Sequence, residues 1–242
     1  MVTNQLEQDK ESLRLSEAAL QTVTEQAEQA EQGKESLRLS EAALQTATEQ
    51  SLHDPLTKLP NRRLFDDRLS QAIFSSNRSG YYNAVLFLDL NNFKLLNDTY
   101  KHAAGDLVLI ETAERLKSCI RQADTVARFG GDEFAVILNN LHIDKNESTQ
   151  QAQNIAEKIR TVLLAPHLLT IKNEGKADTT IEHCCTVSIG VVIFIDKQAS
   201  LTNLTRIIDF ADTAMYQAKK DGGNSIRFFD SSENSRRETG VE

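Results

Sequence analysis

Arg128-Phe129-Gly130-Gly131-Asp132-Glu133-Phe134 sits between two apolar runs, Thr125-Val126-Ala127 before it and Phe134-Ala135-Val136-Ile137-Leu138 after it. Two glycines followed by two acids in that setting read as the tight turn of a β-hairpin. Lacking side chains, Gly130 and Gly131 let a ligand's phosphates come close to the backbone. Asp132 and Glu133 add oxygen ligands suited to a hard cation. On these residues alone the plainer reading, a surface hairpin with a solvated acidic tip, is the better one.

A second acidic position shifts that balance. Residues 83–93 read Asn-Ala-Val-Leu-Phe-Leu-Asp-Leu-Asn-Asn-Phe. Ala84 to Leu88 is a continuous apolar run, the pattern of a strand buried on both faces. Asp89 falls where that strand ends, and a carboxylate there is costly unless paired or metal-bound. Two strand-end acidic positions in one domain point to a single divalent-metal site built from Asp89, Asp132 and Glu133.

Composition bounds the rest. The chain has 242 residues, of which 40% are apolar. Setting aside a low-complexity start, roughly 190 residues remain, enough for one well-cored domain. A net charge of −8 excludes bulk nucleic-acid binding but not one nucleotide held through a metal. The three cysteines, Cys119, Cys184 and Cys185, form no disulfide framework and suit a reducing, cytoplasmic setting. No apolar run approaches the roughly 18 residues of a membrane span, and residues 1–30 lack a signal-peptide core. A soluble fragment is expected, with any membrane contact made by a part outside it.

Residues 10–26 and 34–50 repeat one another with a period of 24 residues, differing only at Val23 against Ala47. Glu, Gln, Ala, Leu, Lys and Arg dominate residues 1–50, a helical composition. Leu13 and Leu20, like Leu37 and Leu44, are seven apart and with Ser16 and Val23 give a thin heptad seam. A second stripe, Leu15, Ala19 and Thr22, competes with it. The period is three heptads plus three residues, so the seam slips between copies. A parallel coiled coil able to adopt more than one register is expected, against a solvated single helix or one broken at Gly33. The duplication is natural or engineered.

Further along, Pro55 and Pro60 stop the stalk helix from continuing. Asn61 is a candidate N-cap for a helix through about Asn77, with Leu64, Leu69 and Ile73 inward. In Leu90-Asn91-Asn92-Phe93-Lys94, backbone N–H groups and Lys94 could meet phosphates, although no P-loop motif is present. An amphipathic helix is expected over Gly105–Ile120, burying Leu107, Ile110, Leu116 and Ile120. Another is expected near Thr149–Leu164. Strands fill residues 167–195, then come a helix over Leu204–Lys220 and a strand over Ile226–Phe229. This alternation predicts an α/β sheet flanked by helices.

Several motifs occur together in order: Asp54-Pro-Leu-Thr-Lys-Leu-Pro-Asn-Arg-Arg63, Asp89-Leu-Asn-Asn-Phe-Lys-Leu-Leu-Asn-Asp98, His102-Ala-Ala-Gly-Asp106 and Arg121-Gln-Ala-Asp124. Gly130–Phe134, Val187-Ser-Ile-Gly190 and Ala211-Asp-Thr-Ala-Met-Tyr-Gln-Ala-Lys219 complete the series. Over residues 51–230 the sequence resembles the GGDEF-domain diguanylate cyclases, which make cyclic di-GMP from two GTP. The resemblance implies a five-stranded, mostly antiparallel sheet like that of nucleotidyl-cyclase and polymerase palm domains. It implies three regions: a coiled-coil stalk at 1–52, the cyclase domain at 53–230 and a disordered tail at 231–242.

Residue roles follow from the same resemblance. Asp89 and Asp132 would bind Mg²⁺ (Mn²⁺ is an alternative) with the Leu90 carbonyl. Glu133 would be a further ligand or would help deprotonate the attacking hydroxyl. Asn97 and Asp106 would read the guanine edge, with His102 lining the pocket; without the family frame the first two could simply cap helix turns. Phe93, Lys94, Gly130, Gly131 and Lys219 would face the phosphates. Arg121 and Asp124 would form an inhibitory product site, helped by Lys158 or Arg160. The product needs two GTP, so a C2 homodimer is implied, its half-sites brought together by stalk register under an upstream sensor. Asn91, Lys101 and Gly223 stand where many members carry Asp, Gly and Arg. The competing readings are a catalytically silent GTP- or cyclic di-GMP-binding module and a cyclase that also makes cyclic GMP-AMP.

Overall fold

A computed structural model describes residues 11, 14–16, 20–21, 31–40, 51–171, 179–196 and 204–230. The chain divides into two compact units, residues 1–51 and 52–242. In the first, the described residues are helical and exposed, including Leu15, Leu20, Leu37 and Leu39 at 60–71%. Leu13, Val23 and Leu44 of the heptad seam, and Ala19 and Thr22 of its rival, lie outside the described residues, as does the tail at 231–242.

The second unit runs α1 (Arg62–Ser79), β1 (Asn83–Asn91), α2 (Phe93–Tyr100), α3 (His102–Cys119), β2 (Thr125–Gly130) and β3 (Glu133–Leu138). It continues with α4 (Lys145–Leu164), β4 (His167–Ile171), β5 (Thr179–His183), β6 (Thr186–Phe194), α5 (Leu204–Lys220) and β7 (Ile226–Phe228). Five strands form one sheet in the order β2-β3-β1-β6-β7, and β4 and β5 pair separately. All pairings in the large sheet are antiparallel except β6 with β7. This is the mostly antiparallel, helix-flanked sheet expected from the sequence. Among the described residues, no helix is long and apolar enough to cross a membrane.

β1 lies at the centre, and its residues 83–90 are buried. The strand's twofold alternation sends Ala84, Leu86, Leu88 and Leu90 into one core with α3 and α4. Val85 and Phe87 go to the opposite core with α1 and α5. Asp89 shares the parity of Val85 and Phe87, so it emerges on the α5 side. α5 can approach because β6 carries Gly190 beneath it. A Cβ there would lie 2.0 Å from the Ala211 carbonyl oxygen and 2.2 Å from the Met215 nitrogen. Leu86, Leu88, Phe134, Ile137 and Leu138 are under 2% exposed, each contributing about 1.5–3 kcal/mol of burial.

Several expected boundaries and faces shift. Asn61 does cap α1, accepting from the Leu64 N–H at 3.2 Å. The helix buries Phe65, Leu69, Ala72 and Ile73, leaving Leu64 only half-buried. α3 starts at His102 rather than Gly105, and Leu107 and Ile110 are 38% and 40% exposed. Its inner face is Val108, Leu109, Ala113 and Leu116, while Ile120 is the half-buried C-cap residue. Apolar residues occupy all four positions 107–110, so periodicity alone does not select the buried pair. α4 begins four residues earlier than Thr149, because Asp144 caps it by accepting from the Asn146 and Glu147 N–H groups. β1 runs two residues beyond Asp89.

Candidate active site

β3 delivers Glu133 directly opposite Asp89 on β1 in the antiparallel register. β6 places Ser188 on the other side of Asp89. The hairpin tip is tied to the end of β1 by the Leu90 N–H, which donates to the Asp132 carbonyl at 3.3 Å. The strand register and this one backbone bond therefore bring Asp89, Leu90, Asp132 and Glu133 together. Gly130 and Gly131 are exposed at the tip.

Asp89 is 6% exposed, and its Oδ1 meets the Lys219 ammonium at 2.6 Å. Burial pushes its carboxyl above the ordinary range; Lys219 opposes this, while Asp132 and Asp212 add to it. Glu133 is raised by burial and by Asp89, Asp212 and Asp132. Asp212 is itself raised by burial and by Asp209. Asp212 and Lys219 are seven residues apart on α5, close to one face of the helix. Sequence reasoning quoted Asp212 within a motif and gave it no role. Among the described residues, no three His, Cys, Asp or Glu side chains converge on one point. The acids adjoin without a closed cage, as expected for like charges of which the most buried is already paired with a lysine. Their hard oxygens, raised carboxyls and a cation already drawn onto Asp89 fit a site for Mg²⁺.

Beside this cluster, α2 packs on α3 through Gly105. A Cβ at that position would lie 2.1 Å from Asn97 Oδ1, so only glycine admits the contact. Asn97 Oδ1 is buried and has no hydrogen-bond partner among the described residues. Asp106 follows Gly105 on an exposed part of α3, and His102 and Lys94 are exposed. Asp106 is thus one residue along α3 from the contact with Asn97. Phe93 is 8% exposed and belongs to the core, so its backbone, not its ring, is what a ligand could meet.

Arg128, at the start of the deciding heptapeptide, does work the sequence did not disclose. Its Nη1 donates to both Asp54 carboxylate oxygens at 3.0 and 3.1 Å. Its Nε and Nη2 donate to the Gly131 carbonyl at 3.1 and 2.8 Å. Burial opposes ionisation of Asp54, yet the Thr57 hydroxyl and N–H and the Arg128 guanidinium outweigh it and hold the carboxyl below its usual value. Asn91 donates to Thr186 Oγ1 at 2.9 Å and accepts from Ser188 Oγ at 2.9 Å. Lys101 has φ 71° and ψ 168°, backbone angles that favour glycine.

The Arg121–Asp124 turn stands apart. Asp124 Oδ2 accepts from the Arg121 N–H at 3.1 Å and Oδ1 from the Asn139 N–H at 3.0 Å. Arg121 Nε lies 3.5 Å from Asp124 Oδ2, with the arginine side chain 60% exposed. Arg121 and Asp124 line a cavity of about 260 Å³ with Pro60, Arg68 and Lys117. The two candidate helpers on α4 diverge. Lys158 donates to the Ser118 and Cys119 carbonyls at 3.2 and 3.1 Å, beside the turn. Arg160 binds Glu157 and reaches Asn224.

Residues 51–225 match the family described as diguanylate cyclase, GGDEF domain. The chain is 41% identical over 184 residues to the bifunctional diguanylate cyclase/cyclic di-GMP phosphodiesterase MucR of Pseudomonas aeruginosa, covering 76% of this chain and 24% of MucR. It is 37% identical to diguanylate cyclase A of Treponema denticola, over 72% of this chain and 43% of that protein. The chain therefore spans under half the length of these curated relatives. The solved GGDEF domain of TpbB from P. aeruginosa superposes with a TM-score of 0.65 at 36% identity, over 77% of this chain and 99% of that one. The coiled coil and GGDEF domain of DgcB from Caulobacter crescentus, solved with cyclic di-GMP, superposes with a TM-score of 0.69 at 27% identity, over 84% and 98% of the two chains. A family match across most of the chain, carried by a fold with the same sheet, makes this protein a member of the diguanylate cyclase GGDEF-domain family.

Proposed function

We propose that the chain condenses two GTP into cyclic di-GMP, releasing two pyrophosphates. The observation that carries this reading is the pairing of Asp89 with Glu133 across β1 and β3, beside a glycine tip tied to the same strand end. In each half-reaction a GTP 3′-oxygen bonds to the partner's α-phosphorus. The bond from that phosphorus to the bridging oxygen breaks, and pyrophosphate leaves. Asp89, Asp132, Glu133 and the Leu90 carbonyl would hold Mg²⁺, or Mn²⁺, which when bound neutralises charge on the phosphates and lowers the pKa of the hydroxyl. Glu133, its carboxyl raised by its surroundings, is suited to accept the hydroxyl proton. Gly130 and Gly131 admit the phosphates, with Lys94 and Lys219 nearby in charge. Release of Lys219 from Asp89 would free its ammonium for them. Asn97 and Asp106 would read guanine. The unpartnered Asn97 Oδ1 supports this, because it leaves one polar atom available beside the site.

Each domain would hold one GTP, so two copies must face each other as a C2 dimer. A coiled coil over residues 1–52 would raise the effective concentration of one domain near the other, and its register would set productive contact. The exposed Leu20 and Leu37 on helical residues support such a partner. Arg121, Asp124 and Lys158 would form the inhibitory product site, the largely exposed Arg121 side chain exchanging its long contact with Asp124 for a guanine or phosphate. An upstream sensor and a cytoplasmic setting complete the reading.

The test is incubation of the purified chain with GTP and Mg²⁺, products resolved by chromatography, beside Asp132→Ala. Cyclic di-GMP from the parent alone is the expected result. A dimeric parent that binds GTP and yields no product would replace the cyclase reading with that of a silent binding module.

A further inference from the structure

Packed against α3, the β4–β5 hairpin places two histidines directly opposite one another, His167 and His183. Leu169 and Ile181, each two residues along from one of these histidines, pack into the core, so both imidazoles project from the hairpin's inward face. Directly opposed residues have Cβ atoms roughly 4.5–5.5 Å apart. The His167 side chain is fully buried, and its Nδ1 lies 3.0 Å from Glu111 Oε2 on α3. The carboxylate can only accept, so Nδ1 carries the proton and Nε2 presents a lone pair. That Nε2 and the Nε2 of His183 are both buried and have no hydrogen-bond partner among the described residues. Orphaned buried nitrogens are costly, and two on facing strands share one explanation.

We propose that His167 and His183 are the protein ligands of a site for a first-row divalent transition cation of the Zn²⁺ class, with Glu111 orienting His167 from behind. The carboxylate–histidine–metal relay is the usual device for fixing a ligating imidazole's tautomer. Among the described residues no third His, Cys, Asp or Glu completes the set, so the two imidazoles are the whole protein contribution and the remaining positions would fall to water admitted with the ion. Imidazole nitrogen selects such ions over Mg²⁺, which keeps this site chemically separate from the oxygen-rich cluster at Asp89. Burial disfavours a proton on both histidines, and the Arg115 charge adds to this at His167. The Arg115 charge is itself occupied: Glu111 Oε1 lies 2.6 Å from Nη2, and the Val162, Ala165 and Pro166 carbonyls accept from its guanidinium. A bound ion would pin both strands of the hairpin at the end where β4 leaves α4 and β5 leads into β6.

The experiment titrates the whole chain with Co²⁺ in excess Mg²⁺, following the visible ligand-field spectrum, then displaces Co²⁺ with Zn²⁺. One Co²⁺ per chain is expected. His183→Gln, at the less buried position, should weaken binding by at least about 100-fold, and Glu111→Gln by about 10–100-fold, with unchanged circular dichroism. Cys184→Ser should leave binding intact. A parent without a Co²⁺ spectrum, or a spectrum that survives His183→Gln, would overturn the site, and loss in Cys184→Ser would reassign it to the thiol. None of these readouts depends on GTP turnover, so the site and the cyclase reading stand or fall separately.

Discussion

Asp124 and Asp89 are both 6% exposed, and they use their carboxylates in opposite ways. Asp124 gives one oxygen to each of two backbone N–H groups and thereby joins the Arg121 turn to the end of β3. Asp89 has no backbone donor for Oδ1, meets a single lysine and is raised by burial and then by its acidic neighbours. One carboxylate is spent on architecture; the other, in the function proposed above, is the one that would take a cation. Burial alone does not separate a structural acid from a functional one; what the oxygens already bind does.

Asp89→Asn should break the comparison most sharply. Cyclic di-GMP synthesis should fall about a thousandfold or more, the loss expected when several kcal/mol of metal-borne charge stabilisation is removed. The denaturation midpoint should hold or rise, since a penalised charge is gone. A fall in both would make Asp89 structural like Asp124. Asp124→Asn should do the reverse to stability, costing about 1–3 kcal/mol by turning an amide N–H towards a backbone donor. Urea denaturation of the two variants side by side would decide it, and equal midpoints would erase the distinction.

Asp89 and Asp54 should part company in pH dependence. The Asp89 carboxyl lies above its ordinary 3.8 in the fold, so its contribution to stability is fully present below that value. It is lost as pH climbs through the raised value. The margin of Asp89→Asn over the parent, measured in chelator, should therefore open from acid towards neutral pH, and Mg²⁺ should close it. A margin that does not change with pH would contradict the burial penalty. Asp54, held low, has the opposite sign: its contribution is present above its ordinary 3.8 and is lost as pH falls through the lowered value. The smallest effect expected is from Lys101→Gly. Relief of the left-handed backbone, costing about 1–3 kcal/mol, is partly offset by glycine's unfolded-state freedom, for a net gain near ~1 kcal/mol in thermal melts. A loss of stability would mean the lysine side chain holds the α2–α3 junction.

The strand–hairpin pair was legible because β1 is apolar from Ala84 to Leu88 and because paired glycines before paired acids have few other uses. α5 matched residue for residue, bounded by its own amphipathic pattern. The face of α3 was not legible, since four consecutive apolar residues give no preferred side. Asp212 escaped because its importance comes from the crossing of α5 over Gly190, a tertiary fact. The choice between Lys158 and Arg160 was equally closed to sequence: they lie about 200° apart around α4, and only packing says which side meets the turn. The facing of His167 and His183 depends on the register of a hairpin whose pattern is weak.

Arg128 carries one more consequence. Its guanidinium joins the Gly131 carbonyl to Asp54, and its N–H donates to the Pro60 carbonyl at 2.9 Å. Every strand and helix of the domain lies downstream of residue 61, yet the order of the glycine tip is secured from upstream of it. A truncation beginning at Arg62 would keep the whole sheet and every acid of the site, and would still release the loop on which they converge. The working boundary of this domain therefore lies at least eight residues before its first helix, at a carboxylate rather than at an element of secondary structure.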